Sequence, residues 1–386
     1  MLGLALTAAT LGIWIYLMAA RGAFWLASTR DDRDDVPEPR SWPAVSVVIP
    51  ARDEAQVIGQ CLRSLLDQNY PGSLSVILVD DQSSDATADV AAKTAAISGA
   101  GSRLTILSGR PLPAGWAGKV WAIKQGVEHA ARAAEPPPYL LLTDADIAYA
   151  PDSLRQLVAR AHARNLVSTS LMVKLNCESF AERSLIPAFV FFFQMLYPFA
   201  WVNRIDAETA AAAGGCMLVA REALQSAGGM EGIRSALIDD CALAAKLKAV
   251  GPIWLGLTDR VRSVRPYPTF GHVRSMVARS AYCQLGYSPM LLVGTVAGMA
   301  LTFLVPPLMA LFTPGLGRLF AILAWMLMAA SFQPTLRLYR LSPLWGLALP
   351  VTAACYVAFT LDSAYQHLRR RGGLWKGRVQ ANPRTP

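Results

Sequence analysis

Long stretches without charged residues restrict the fold of this chain more than any other feature of its sequence. Residues 1–20, 280–317, 319–336 and 341–361 contain no Asp, Glu, Lys or Arg. A helix of about 20 apolar residues spans the hydrocarbon core of a bilayer. The pattern therefore predicts an N-terminal membrane anchor over residues 1–22 and a C-terminal transmembrane region over residues 286–362.

Basic residues beside these stretches predict the orientation of the chain in the membrane. No basic residue precedes the first stretch, and Arg21 and Arg30 follow it. This favours an uncleaved anchor over a signal peptide and places the chain after Arg21 in the cytoplasm. The basic tail over residues 363–386 is also expected to be cytoplasmic, but four single spans would place it outside. Either one stretch does not cross fully, or residues 280–317 form a hairpin of two short helices.

The composition excludes several classes of protein. Hydrophobic residues make up 53% of the chain, which argues against disorder. Charged residues make up 16%, whereas soluble domains contain about 25%. Residues 260–386 contain 14 basic residues and one acid. These basic residues alternate with apolar stretches, which argues against nucleic acid as a partner. None of the six cysteines forms a CxxC pair, which indicates reduced thiols in a cytoplasm-facing protein.

Between the apolar parts, the sequence alternates short apolar strands with amphipathic helices. We predict a linker over residues 23–43, a domain over residues 44–260 and a basic juxtamembrane segment over residues 261–285. Strands are expected at 45–49, 75–79, 104–107 and 139–143, and helices at 54–66, 85–97 and 119–134. This order is typical of a Rossmann-like α/β fold with a mostly parallel sheet and helices on both faces.

Acidic residues follow three of these strands and open one later helix. The four pairs are Asp53 and Glu54, Asp80 and Asp81, Asp144 and Asp146, and Asp239 and Asp240. Ligands of open α/β sheets bind at the carboxyl ends of the strands. Helix capping can explain a single pair, but it does not require an Asp-x-Asp spacing. That spacing suits a divalent cation, which in turn suits a diphosphate ligand.

Three segments, in this order, resemble the signatures of family 2 glycosyltransferases: Val47–Glu54, Val79–Thr87 and Thr143–Asp146. Two further segments look like parts of ceramide-glucosyltransferase and carotenoid-glycosyltransferase relatives: Gly115–Lys119 and Trp375–Arg378. The whole pattern is similar to the hopanoid-biosynthesis-associated glycosyltransferases of bacteria. The resemblance implies the type A glycosyltransferase fold, with an N-terminal anchor and C-terminal transmembrane helices.

The resemblance also implies roles in donor binding. The backbone near Ala51 and the side chain of Glu54 are expected to line a nucleoside pocket, with Asp81 accepting the N–H of a uracil ring. Asp146 is expected to bind Mg²⁺ or Mn²⁺ directly, and Asp144 to reach the metal or the ribose.

Three more residues are given roles close to the reaction. Asp240 matches the position of the family's catalytic base. Lys119 is expected to steady phosphate or sugar, although a solvated lysine at the start of a helix is the alternative. Arg279 is expected to contact phosphate. The alternative for its basic surroundings is binding of anionic lipid.

The function implied is that of an inverting, metal-dependent hexosyltransferase in the bacterial inner (plasma) membrane, multi-pass and with a cytoplasmic catalytic domain. It would move one sugar from a UDP-sugar to a membrane lipid, such as a hopanoid or another isoprenoid. Many membrane relatives carry a Gln/Arg-x-x-Arg-Trp motif, but here Met276–Ser280 has no Trp, which favours transfer of a single sugar. A processive polysaccharide synthase and a non-catalytic membrane scaffold are the alternatives. The Phe-rich residues 185–202 predict either a helix at the membrane surface or a buried core helix.

Overall fold

The computed structural model describes residues 2–33, 35–369, 374–376 and 378–379. The chain divides into two compact units. The sheet unit comprises Thr29–Asn176, Trp201–Arg265 and Leu374–Pro386, and the helical unit comprises Met1–Ser28, Cys177–Ala200 and Pro266–Gly373.

The sheet unit is built on an eight-stranded sheet within the described residues. Its strands are β1 Val45–Ala51, β2 Leu74–Asp80, β3 Leu104–Ser108, β4 Tyr139–Leu142, β5 Ile147–Tyr149, β6 Ser168–Lys174, β7 Met217–Ala220 and β8 Ile253–Ser263, in the order β3-β2-β1-β4-β7-β6-β8-β5. The pairings β1–β2, β1–β4, β2–β3 and β6–β8 are parallel, and β4–β7, β6–β7 and β5–β8 are antiparallel. The mostly parallel α/β fold is thus confirmed.

The helices of the sheet unit follow the strands as the sequence predicts. They are Ile58–Leu66, Thr87–Ile97, Gly118–Ala131, Ser153–Ala163, Arg221–Ser226 and Asp239–Lys248, with 3₁₀ turns at Gly101–Arg103 and Met230–Ile233. Phe199–Val202 is a short helix that contains the boundary along the chain between Ala200 of one unit and Trp201 of the other. All seven residues of β1 are buried, as expected for a strand that is covered on both faces.

Helix Gly118–Ala131 packs closely against β1, and this packing fixes the position of the helix N-terminus. A Cβ at Gly126 would lie 2.4 Å from Cγ1 of Val48, so only glycine allows this approach. The first turn of the helix carries Lys119, which is therefore held at the end of the sheet by backbone packing.

Residues 29–31 of the predicted linker are bound to the sheet unit. The N–H of Leu257 in β8 donates to the carbonyl of Thr29 at 2.9 Å, and the N–H of Asp31 donates to the carbonyl of Leu257 at 3.0 Å. The guanidinium of Arg30 pairs with Asp259 at 2.7 Å. The segment before β1 is thus anchored along the edge of β8.

The helical unit contains most of the uncharged stretches. Its helices are Leu2–Ala19, Phe180–Leu196, Phe270–Ala278, Ala281–Gln284, Pro289–Met299, Val305–Phe312, Gly315–Leu338 and Leu349–Leu368, with a 3₁₀ turn at Phe24–Leu26, a π turn at Ala300–Leu304 and a 3₁₀ turn at Pro343–Ala348. Among the described residues, three continuous helical segments are long and apolar enough to cross a bilayer: Pro289–Phe312, Gly315–Leu338 and Pro343–Leu368. The apolar helix Gly3–Ala19 is shorter.

The Phe-rich segment forms the core of the helical unit. Phe191 packs against Phe24 and Phe332, with ring centroids 5.3 and 5.2 Å apart. Phe192 packs edge-on against Tyr356, with centroids 5.0 Å apart. Of the two predicted interpretations, the structure therefore supports the buried core helix for Phe180–Leu196. Aromatic pairs of this geometry add to the free energy gained by burying the rings.

Candidate active site

Loops from three neighbouring parallel strands meet at one edge of the sheet. Because β2, β1 and β4 are adjacent and parallel, the segments that follow them emerge on the same side. These segments contain Asp53 and Glu54, Asp81, and Asp144 and Asp146. The predicted convergence of these carboxylates at the carboxyl edge is therefore observed.

Some of the acidic residues at this edge hold the loops together. Asp53 has a left-handed backbone with φ of 51°, and its carboxylate accepts bonds from the N–H and hydroxyl of Ser84 at 2.7 and 3.0 Å. Asp85 accepts from the N–H of Ala55 at 3.0 Å and from the N–H of Thr87 at 3.0 Å. Asp53 and Asp85 thus link the loops after β1 and β2, whereas neither helix Ile58–Leu66 nor helix Thr87–Ile97 has a side-chain hydrogen bond at its N-cap.

Asp81 and Ala51 lie side by side beneath these loops. The N–H of Asp81 donates to the carbonyl of Ala51 at 2.8 Å, and Asp81 is fully buried. Gly109, after β3, approaches so closely that a Cβ there would lie 2.9 Å from the Cα of Asp81. A glycine at this position keeps the third strand's loop against the predicted nucleoside pocket.

Lys119 joins two of the acidic pairs. Its ammonium lies 2.8 Å from the carboxylate of Asp144 and 3.3 Å from that of Asp239. Burial lowers the pKa of Lys119, but the charges of Asp144 and Asp239 outweigh this effect and raise the pKa above its ordinary value. Lys119 is therefore a charged residue that organises the site. Its side chain is only 15% exposed, so Lys119 is not the solvated lysine of the alternative prediction.

Asp240 is held at the first turn of helix Asp239–Lys248. One carboxylate oxygen accepts from the N–H of Gly214 at 2.8 Å and the other from the N–H of Cys241 at 2.8 Å. Burial and the charge of Asp239 raise the pKa of Asp240 to about 6, although Lys119 and the two N–H groups oppose the shift. A carboxylate with this pKa can exchange a proton near neutral pH.

One cavity brings these groups together. Its charged members are Lys119, Asp144, Asp239 and Asp240. Its other walls are Ile123, Leu142, Thr143, Gly214, Met217, Met230, Ile233 and Leu243. A Cβ at Gly214 would lie 3.2 Å from both the Asp240 carboxylate and the Lys119 ammonium, so glycine leaves room for both charges. The cavity is small, about 10 Å³, although its lining, mostly apolar with a few convergent charged groups, has the composition of a ligand site.

A second cluster forms around Arg265, directly after β8. Its guanidinium contacts Glu54 at 2.6 Å and Asp146 at 3.0 Å. Asp146 also accepts from the hydroxyl of Ser263 at 2.9 Å, and Glu54 also pairs with Lys376 at 3.0 Å. The sequence placed Arg265 in the basic juxtamembrane segment and Lys376 in the Trp375–Arg378 segment of the tail, and it predicted no contact of either residue with Glu54 or Asp146.

The two carboxylates of the Asp-x-Asp pair thus face different cations. Among the described residues, no group of three or more His, Cys, Asp or Glu side chains is arranged to hold a metal ion. Magnesium in phosphate-binding sites is usually bound through one or two carboxylates plus the phosphates of the ligand. Asp144, with its side chain 36% exposed, and Asp146 are carboxylates of the type that such a site uses.

Arg279 is not among the residues that the sheet unit brings together. It lies in the helical unit, directly after helix Phe270–Ala278, and its side chain is exposed. Its contact with phosphate stays a prediction.

Comparison with known proteins agrees with this architecture. Residues 46–228 match the model of the family described as Glycosyl transferase family 2. An N-acetylglucosaminyltransferase of Mesorhizobium japonicum is 42% identical over 52 residues, 13% of this chain and 12% of that protein. An N-acetylglucosaminyltransferase of Rhizobium meliloti is 45% identical over 47 residues, 12% of this chain and 11% of that protein. The chain thus matches only about an eighth of the length of these relatives.

A solved structure extends the likeness in fold along the chain. The mannosyltransferase PcManGT of Pyrobaculum calidifontis, in complex with GDP-Man and Mn²⁺, superposes with a TM-score of 0.56 at 20% identity, covering 96% of this chain and 98% of that one. Together with the three strand-end motifs, these matches show that residues 46–228 are similar to the family 2 glycosyl transferase domain and that the chain has the type A glycosyltransferase fold.

Proposed function

We propose that the chain is an inverting glycosyltransferase that moves a single sugar from a UDP-sugar to the hydroxyl of a membrane lipid, with Mg²⁺ or Mn²⁺. The observation that carries this proposal is the meeting of Asp240, Lys119 and Asp144 in one cavity at the carboxyl edge of the sheet. A base, a cation and a metal-binding carboxylate are the groups that displacement of a nucleoside diphosphate from a sugar requires.

Donor binding would use the groups at the carboxyl edge. The solved mannosyltransferase of the same fold contains a nucleotide sugar and Mn²⁺, and we extend that combination to this chain. Asp146 and Asp144 would hold the metal, which when bound offsets the negative charge of the leaving diphosphate. Lys119 would keep Asp144 in place and add positive charge beside it. Arg279 would contact phosphate, and Ala51, Glu54 and Asp81 would surround the nucleoside.

In the proposed reaction, Asp240 accepts the proton. As the acceptor oxygen attacks the anomeric carbon, the new C–O bond forms while the bond between that carbon and the diphosphate oxygen breaks. The proton of the attacking hydroxyl passes to the Asp240 carboxylate, and the electron pair of the broken bond leaves with UDP. A single displacement inverts the anomeric configuration. The N–H groups of Gly214 and Cys241 keep the carboxylate oriented throughout.

The rate of this reaction is expected to depend on pH through Asp240. The base must be unprotonated, and burial together with Asp239 raises its pKa to about 6. We therefore expect kcat/KM to be nearly constant above pH 7 and to fall tenfold per pH unit well below pH 6, with the midpoint near 6. A pH profile of kcat/KM measures this midpoint. A profile flat down to pH 5 would contradict the assignment.

The acceptor is proposed from the apolar helices. Three segments of the described chain are long and apolar enough to cross a bilayer, which supports a membrane protein and hence an acceptor that resides in the membrane. A hopanoid or another isoprenoid lipid follows from the resemblance stated above. The inner membrane as location and a cytoplasmic catalytic domain belong to the same proposal.

Turnover by the purified chain tests this function. The protein in lipid nanodiscs would be supplied with UDP-glucose, UDP-GlcNAc or GDP-mannose, with Mn²⁺ and a bacterial lipid extract, and the products analysed by mass spectrometry. UDP release with one sugar added to a lipid supports the proposal. Turnover only with GDP-mannose would overturn the uridine assignment, a long polymer would indicate a synthase, and no turnover with any donor would indicate a scaffold.

A further inference from the structure

A lysine of the C-terminal tail reaches the loop that follows β1. The ammonium of Lys376 lies 3.0 Å from a carboxylate oxygen of Glu54 and 3.0 Å from the carbonyl of Asp53. The backbone at the same residue is also held, because the guanidinium of Arg52 donates to the carbonyl of Lys376 at 3.2 Å. The tail residue is thus fixed through both its side chain and its backbone.

Lys376 is the first member of a chain of ion pairs that ends at a proposed metal ligand. The sequence of contacts runs from Lys376 to Glu54 at 3.0 Å, from Glu54 to Arg265 at 2.6 Å and from Arg265 to Asp146 at 3.0 Å. The Glu54 side chain is 10% exposed. Its two oxygens contact different cations, Oε1 that of Lys376 and Oε2 that of Arg265.

The burial of Glu54 makes its two cations interdependent. When a buried carboxylate loses one of its two cationic partners, it attracts the remaining cation more strongly, because its charge is poorly solvated. Without Lys376, only Arg265 would balance Glu54, and the guanidinium would shift toward it. The same guanidinium orients Asp146, so the position of Asp146 depends on Lys376. Partners of metal ligands commonly influence metal affinity in this way.

We propose that Lys376 is a positioning residue of the donor site, acting through Glu54 and Arg265 on the carboxylate of Asp146. The inference rests on the proposed function, in which Asp146 binds the metal of a nucleotide-sugar complex. Lys376 touches neither metal nor sugar in this assignment. Its contribution is to keep Glu54 and Arg265 in the arrangement that leaves Asp146 ready for the ion.

Binding of UDP with Mn²⁺ to the full chain, measured by calorimetry, tests this role. For Lys376→Met we expect Kd to rise about tenfold, the lower end of the range found for groups that support metal ligands, because Lys376 acts on Asp146 only through Glu54 and Arg265. The donor KM should rise by a similar factor, while kcat changes less than threefold. Lys376→Arg should restore most of the affinity because it keeps the charge. Lys93→Met, at an exposed lysine on helix Thr87–Ile97, is the matched control and should bind as wild type does.

A double-mutant cycle separates positioning from a general effect on folding. If Lys376 acts through Glu54, the losses in Glu54→Gln and Lys376→Met should be clearly non-additive, with the thermal midpoints of both variants close to that of wild type. Wild-type affinity in Lys376→Met, equal losses in the Met and Arg variants, additive losses or a loss explained by a lowered midpoint would each overturn the inference. Failure of the wild-type chain to bind UDP with Mn²⁺ would instead overturn the proposed function, and this inference with it.

Discussion

Asp240→Asn should reduce turnover by a factor of about 10² to 10⁴, the usual contribution of a general base, and leave UDP binding nearly unchanged. The asparagine side chain has almost the same shape but cannot accept the proton of the attacking hydroxyl. It also keeps an oxygen that can accept from Gly214 at the position of the present 2.8 Å bond. Single-turnover rates and calorimetric titration with UDP and Mn²⁺ measure the two quantities separately.

Asp67→Asn is the matched control for this substitution, since Asp67 is an exposed carboxylate at the end of helix Ile58–Leu66. It should change neither turnover nor binding. The assignment of the base is wrong if Asp240→Asn turns over at a rate near that of wild type. A parallel loss of UDP affinity would place Asp240 in donor binding instead.

Asp146→Asn should remove the metal-dependent part of UDP binding. Loss of this charge takes away the proposed direct ligand and also one partner of Arg265. The affinity should fall at least as far as the 10- to 100-fold found for groups that only support metal ligands. Titration with UDP in Mn²⁺ and again in EDTA measures the metal-dependent difference, which we expect to disappear in the variant.

Ser263→Ala provides a control at the same carboxylate. It removes the 2.9 Å hydrogen bond from the Ser263 hydroxyl to Asp146 but leaves the charge in place, so the metal-dependent affinity for UDP should fall less than it does in Asp146→Asn. If both variants retain the wild-type difference between Mn²⁺ and EDTA, Asp146 is not a metal ligand. If both variants lose this difference equally, metal-dependent UDP binding depends on the hydrogen bond from Ser263 rather than on the charge of Asp146.

The first half of the sheet could be predicted from local sequence patterns. Strands β1 to β4 are short apolar stretches that end at acidic or polar residues, and each was expected within about two residues of its observed bounds. The strands after residue 146 have no comparable signal. β5 has only three residues, and the long strand β8 contains Asp259, Arg260 and Arg262. Pairing with distant strands decides the structure of such segments, and local propensity does not reveal it.

Within the candidate site, too, local motifs could be predicted from the sequence and contacts between distant residues could not. Asp-x-Asp after β4 and the acidic pair at the start of helix Asp239–Lys248 are local motifs, and the structure brings both to Lys119. The partners of Glu54 are Arg265, 211 residues away in the sequence, and Lys376 in the tail. Glu54 was expected to line a nucleoside pocket, yet both of its oxygens contact cations of the chain itself. No motif predicts contacts over such separations.

The position of Lys376 also restricts how the chain can cross a membrane. The chain leaves the sheet unit after Arg265 and rejoins it at Leu374, so both points lie on the same side of any bilayer. Between them the number of complete crossings must be even. Three helices in this interval are long and apolar enough to cross, and three complete crossings would separate Lys376 from Glu54. Two of these helices can therefore form a transmembrane pair, with the third re-entrant or lying along the membrane surface.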